Sequence, residues 1–110
     1  MSTTLAPTRT DLSVRIGALV LKGPILVASG TYGYGDEFGS RFALERLGGI
    51  VTKTVTLKPR AGNPPHRMVE TPSGMLNSIG LENVGLKAFV TEKLPKLARV
   101  PTAIVASVGG

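Results

Sequence analysis

Ile25-Leu26-Val27-Ala28-Ser29-Gly30 and Ile50-Val51-Thr52-Lys53-Thr54-Val55 decide the fold class of this chain. The first is an unbroken apolar run ending in a small hydroxyl residue and a glycine, the pattern of a strand buried on both faces of a parallel sheet. The second is apolar at Ile50, Val51 and Val55 and carries a lysine in its outer half. Between them, a glycine-rich turn leads into Phe38, Phe42 and Leu47 at near-helical spacing, with Gly48-Gly49 as the stop. Leu86, Val90, Leu94 and Leu97 then mark the inner face of a second helix, whose regular part Pro95 kinks or ends. Thr102 to Val108 reads as a third strand, followed by Gly109-Gly110. Strand, helix, strand, helix, strand is the order of a parallel α/β sheet with right-handed crossovers. In front of it, Val14 to Ile16 and Leu19 to Leu21 flank Gly17-Ala18 as a small β-hairpin.

Parallel strands place the loops at their carboxyl ends on one rim, where α/β barrels carry their chemistry. Ser29, Lys53 and Ser107 each close or nearly close a strand and share that rim. The segment from Thr56 to Leu76 carries Pro59, Pro64, Pro65 and Pro72 and is too long for a turn. It reads as a binding loop or lid over the same rim. Lys53 is costly to bury among apolar neighbours without an anionic partner. Equally, its stem can lie along the strand while its head reaches water. Asn77 presents donor and acceptor together, which suits a planar ring with amide edges, and the backbone N–H groups of Ile79, Gly80 and Leu81 can cup a carboxylate. An asparagine-capped turn is the plainer reading of that run.

Composition sets limits on the function classes. Of the 110 residues, 42% are hydrophobic and 18% charged, which places the chain among ordinary globular proteins. No apolar run approaches the roughly 20 residues that span a bilayer. Residues 1–11 read as a flexible tail, Ser/Thr-rich at the start and without the apolar core of a signal peptide. Cysteine is absent, which excludes a disulfide framework and a thiolate metal site. The single histidine, His66, lies between Pro65 and Arg67 in a solvated loop. The formal charge is +6, and no acidic residue occurs between Glu45 and Glu70, an interval that holds Lys53, Lys58, Arg60 and Arg67. Such a segment can steer an anionic substrate, or it can be a solvated basic loop. A dinucleotide reading of Gly30 to Gly39 fails, because Asp36 and Glu37 would repel a phosphate there. That reading also lacks an acidic residue about 20 positions on.

Gly74-Met75-Leu76-Asn77-Ser78-Ile79-Gly80-Leu81-Glu82-Asn83 closely resembles the substrate loop of the dihydroorotate dehydrogenase family. Ala28-Ser29-Gly30 and Lys53-Thr54 stand in the matching order before it, and the resemblance runs from about Leu12 to Gly110. It implies the amino-terminal part of a (β/α)8 TIM barrel, about two and a half β/α units after a β-hairpin, so that residues 12–110 form an incomplete flavin-binding domain. The family's complete barrel is typically ~250 residues.

The resemblance implies oxidation of dihydroorotate to orotate in pyrimidine biosynthesis. It places flavin mononucleotide, FMN, against Ala28, Ser29, Gly30, Lys53, Thr54 and Ser107, although Ser107 stands where the family often has asparagine. It places the substrate against Lys53, Asn77, Ser78, Ile79, Gly80 and Leu81, and has Asn83 shape the next turn or cap the second helix. The family's catalytic base is a cysteine or serine farther along the barrel, so no catalytic residue and no metal ligand is assigned in this chain. Met68 to Asn77 looks most like the NAD-linked class 1 form, which passes electrons to an iron-sulfur FAD electron-transfer subunit. A cytoplasmic homo-oligomer with neither nucleic acid nor membrane as partner is the resulting expectation. The competing readings are a flavin barrel acting on tRNA, similar to a dihydrouridine synthase, and a non-catalytic fragment.

Overall fold

The computed structural model describes residues 9–35, 37 and 43–110. The hairpin expected about Gly17-Ala18 is present: β1 (Val14–Ile16) pairs antiparallel with β2 (Leu19–Leu21), and Leu21 is buried beneath it. Next come β3 (Leu26–Val27) and β4 (Gly49–Val51), which pair in parallel with Val27 opposite Ile50. The chain then forms β5 (Met68–Thr71) and β6 (Gly74–Asn77), a second antiparallel hairpin. A helical segment follows, from α1 (Gly85–Ala88) through a π-turn at Phe89–Lys93 to α2 (Leu94–Leu97). Last is β7 (Ala103–Val105), parallel to β4 with Ile104 opposite Ile50. The sheet order β3-β4-β7 puts β4 in the centre, where its apolar Ile50 is fully buried.

Several expected elements differ in extent. The helix read from Phe38, Phe42 and Leu47 falls largely on residues outside those described, as do the first eight positions of the expected tail; a 3-10 turn at Leu44–Arg46 precedes β4. Gly49 does not act as a stop but opens β4, where its neighbours in the two flanking strands come so close that a Cβ would meet the Leu26 side chain at 3.1 Å and the Ala103 carbonyl at 3.3 Å. The regular ladder of β4 ends at Val51, short of the expected Val55, and β7 ends at Val105, short of Val108. Val55 and Val108 still meet in an isolated parallel bridge. The third difference is β5–β6, inside a stretch read only as a loop. Thr71-Pro72-Ser73-Gly74 supplies the turn, with proline and glycine in the places a tight turn favours.

The helical face is also rephased. Of the four residues expected to face inward, Leu97 is buried at 1% exposure but Leu86, Val90 and Leu94 are 43%, 48% and 36% exposed, and Phe89, which was not among them, is 4% exposed. Eight residues of regular α-helix overshoot two turns by about 80°. The wider π-turn, in which the Leu94 N–H reaches back to the Phe89 carbonyl, takes up most of that overshoot and aligns Phe89 with Leu97. It also accommodates Pro95, which has no N–H to give to a regular helix. Phe89 and Leu97 pack with Tyr34 and Val55 into the core, flanked by Val84 and Ile104.

Among the described residues β3 and β7 each pair on one side only, and Ile25, Leu26, Val90 and Val105 keep apolar surface in water. Open parallel edges beside apolar surface favour association. Residues 1–110 expressed alone are therefore expected to elute in size-exclusion chromatography as oligomers or aggregates. A sharp monomer peak with cooperative unfolding would contradict this.

Candidate functional site

The rim is built where the central strand leaves its ladder. Beyond Val51 the backbone stays extended but exchanges partners: the Thr52 N–H donates to the Val105 carbonyl at 2.9 Å, the Lys53 N–H to the Gly33 carbonyl at 2.8 Å, and the Val55 N–H to the Ser107 carbonyl at 2.9 Å. Lys53 thus lies just past the strand end, held by the glycine turn, and not within the ladder as its apolar neighbours suggested. A hydroxyl ladder joins the three strand ends. Thr54 Oγ1 lies 3.3 Å from Ser29 Oγ and 2.8 Å from Ser107 Oγ, and the Ser107 N–H donates to Thr52 Oγ1 at 3.2 Å. Ala28 supports this rim through its carbonyl, which accepts from the Thr31 N–H and hydroxyl.

The glycine turn does not offer its amides to a phosphate. The Glu37 carboxylate accepts from the N–H groups of Tyr34 and Gly35 at 3.0 and 3.1 Å. It comes so near Gly33, which has a φ of +54°, that a Cβ at that position would sit 2.8 Å from the carboxylate. The amides are filled from within the chain.

Opposite the rim stands the loop that leaves β6. Its shape is fixed from below: Asn63 Nδ2 donates to the Ser78 carbonyl and hydroxyl at 2.9 and 2.8 Å, the Asn63 N–H donates to the Ile79 carbonyl at 2.9 Å, and the Ser78 N–H donates to the Arg67 carbonyl at 2.8 Å. Gly80, at a φ of +78°, has Asn63 so close that a Cβ would meet its backbone nitrogen at 2.7 Å. Leu81 follows with a φ of +55°, a conformation that costs a non-glycine residue about 1–3 kcal/mol and tends to occur where function constrains the backbone. Beyond it, Asn83 is buried and fully engaged. Its Oδ1 accepts from the N–H groups of Thr56 and Gly85 at 3.1 and 3.0 Å, and its Nδ2 donates to Thr56 Oγ1 and the Leu81 carbonyl at 3.0 and 2.9 Å. Asn83 therefore shapes the turn into α1, one of the two roles anticipated for it, and also ties that turn to the central strand.

Rim and loop enclose a cleft of about 580 Å³. Of the residues singled out in the sequence, Ser29, Gly30, Lys53, Thr54, Asn77, Ile79, Gly80 and Leu81 line it. Ala28, Ser78 and Ser107 do not; they hold neighbours in place through the bonds above. Met68 and Glu82 also line it and were not anticipated. Met68 is placed by the hairpin register, directly across from Asn77, so recognition of the Pro72 turn would have found it. Asn63 and Arg67, the supports of the loop, carry no comparable signal, because the loop residues they hold lie 11 to 16 positions along the chain. Among the described residues no group of three His, Asp or Glu side chains is arranged to hold a metal ion.

Three parallel strands with a cleft outside their carboxyl ends place the chain among α/β proteins, a class in which that rim is the usual place for a ligand site. The model of the dihydroorotate dehydrogenase family matches residues 11–110, and the chain belongs to that family. It is 53% identical over 100 residues to the dihydroorotate dehydrogenase B (NAD(+)) catalytic subunit of Geotalea daltonii, and 54% identical over 99 residues to that of Trichlorobacter lovleyi. These matches cover 91% and 90% of the chain and 33% of each relative, so the chain spans about a third of their length. A solved dihydroorotate dehydrogenase from Eimeria tenella, crystallised with ferulenol, superposes with a TM-score of 0.67 at 25% identity, covering 98% of this chain and 30% of that one.

Replacement of Asn83 by alanine strips partners from two backbone N–H groups and one carbonyl at a buried position. It is expected to destabilise the protein by about 1–3 kcal/mol, read as a lowered urea midpoint with an unchanged slope. An unaltered midpoint would show that these groups find other partners.

Proposed function

We propose that this chain forms the flavin- and substrate-facing wall of a dihydroorotate dehydrogenase, which oxidises dihydroorotate to orotate in pyrimidine biosynthesis with FMN as cofactor. The observation that carries the reading is the convergence on one cleft of Ser29, Gly30, Lys53 and Thr54 from the strand ends and Asn77, Ile79, Gly80 and Leu81 from the loop. In this reading β3, β4 and β7 are the first strands of a (β/α)8 barrel, and the family match favours dihydroorotate over a tRNA substrate.

The rim fits a flat flavin ring. A Cβ added at Gly30 would meet nothing within 4 Å, so the backbone there is open to a close approach. The Ser29 and Thr54 hydroxyls can each turn as donor or acceptor toward polar ring edges. When bound, FMN supplies the hydride acceptor. Lys53 contributes a fixed cation on the cleft wall, matched to an anionic substrate and to charge that develops during hydride transfer. Asn77 orients the pyrimidine through its amide edge, and the N–H groups of Ile79, Gly80 and Leu81 receive the substrate carboxylate. Ser78 and Ser107 act as positioning groups through Asn63 and Thr54. The base that takes the substrate proton is assigned outside these 110 residues, and none of the serines here is given that role.

The matched relatives are named catalytic subunits of an NAD(+) enzyme, which supports electron transfer to a separate iron-sulfur FAD subunit. A cytoplasmic homo-oligomer of the catalytic chain completes the proposal.

In the full-length enzyme, Lys53→Ala is expected to slow flavin reduction by dihydroorotate at least tenfold, about 1.4 kcal/mol or more of barrier, with little change in unfolding. Stopped-flow bleaching of the flavin at the parent rate would refute the role of Lys53. Asn77→Ala is expected to act on binding, weakening orotate by about 1–3 kcal/mol in a flavin spectral titration. Parent-like affinity would remove Asn77 from the substrate site.

A further inference from the structure

Glu82 places a carboxylate on the wall of a cleft whose proposed ligand is itself a carboxylate. It lines the main cleft together with Lys53, Asn77 and Leu81, and with Lys53 it also lines a smaller cleft of about 370 Å³ beside Tyr34. Left free, its negative charge would repel the substrate and compete for the Lys53 ammonium. The structure shows where that charge goes. Arg67 Nη2 lies 2.8 Å from Glu82 Oε2, and Arg67 Nη1 is directed by the carbonyls of Ala61 and Asn63 at 3.5 and 3.3 Å. Arg67 immediately precedes β5, and its own carbonyl accepts from the Ser78 N–H at 2.8 Å.

A salt bridge between partly exposed side chains contributes little to stability. Its effect on the cleft is larger, because the sign of one nearby charge decides whether an anion is attracted or repelled. We propose that Arg67 is a positioning residue that sequesters the Glu82 carboxylate, leaving the Lys53 charge available to the anionic substrate. This rests on the substrate reading above. Arg67 touches neither substrate nor cofactor in it; its influence passes through Glu82.

The test uses the full-length, flavin-loaded enzyme and orotate as the titrated ligand, with steady-state kinetics on dihydroorotate. Arg67→Ala and Arg67→Gln are expected to raise the orotate Kd and the dihydroorotate KM about tenfold or more, with a much smaller change in kcat. Adding Glu82→Gln to Arg67→Ala is expected to bring the Kd back to within about threefold of the parent, since the repelling charge is gone. A double variant as weak as Arg67→Ala would overturn the proposal, because a purely structural role for Arg67 is not repaired by neutralising Glu82. Parent-like affinity in Arg67→Ala would overturn it as well. Should Arg67→Ala lose its flavin, Arg67→Lys is compared with Arg67→Gln, and equal affinities in these two would overturn it. A parent enzyme that holds flavin but binds no orotate would instead refute the substrate reading.

Discussion

Everything near the cleft hangs from the stretch Thr52 to Thr56, where the central strand passes from regular pairing to a series of individual bonds. Its backbone N–H groups are taken in turn by Val105, Gly33, Ser107 and the side chain of Asn83. These partners come from three parts of the chain: Val105 and Ser107 from the end of β7 and the residues just beyond it, Gly33 from the glycine turn, and Asn83 from the turn into α1. Thr52, Val55 and Thr56 are buried, while Lys53 and Thr54 line the cleft at the rim. Fixing this one stretch therefore fixes the cation, the hydroxyl ladder and the position of the opposing loop together.

The charge distribution gains meaning from the same geometry. The interval without acidic residues from Glu45 to Glu70 suggested a basic patch, yet its members serve different ends. Lys53 faces the cleft and Arg67 is consumed by Glu82. Net charge alone said nothing of this division, which depends on a contact between residues 15 positions apart in sequence. Lys93 is diverted in another way, with its ammonium 5.2 Å from the centre of the Tyr34 ring.

The parallel sheet was legible because each of its strands is a short apolar run, and the first hairpin because Gly17-Ala18 separates Val14-Arg15-Ile16 from the apolar triplet Leu19 to Leu21. The second hairpin was hidden: Met68 to Asn77 shows no clean alternation, since both of its faces stay largely exposed, and proline drew attention away from pairing. The helix face was misphased for a local reason, since a repeat assumes constant winding and the π-turn breaks that assumption. Of the candidate site, the residues on strand ends could be found from polar residues placed after apolar runs, whereas Asn77 to Leu81 read from pattern alone as a capped turn and stood out only through the family resemblance. Their supports could not be found. Asn63, Arg67 and the left-handed conformation of Leu81 are consequences of tertiary packing, and no local preference of those residue types announces them.

The bridge between Arg60 and Asn83 has a bearing on the order in which the molecule assembles. It closes a segment whose internal contacts, the β5–β6 hairpin, the Asn63 brace and the Arg67 pair, all lie between its two ends. Hairpins of this size form within roughly 1–10 μs. The pairing of Gly49 with Ala103 closes a segment more than twice as long as that between Arg60 and Asn83, whereas its pairing with Leu26 spans a segment of the same length. The loop that leaves β6 can thus take shape as a local unit before β7 completes the sheet, and join the central strand already formed.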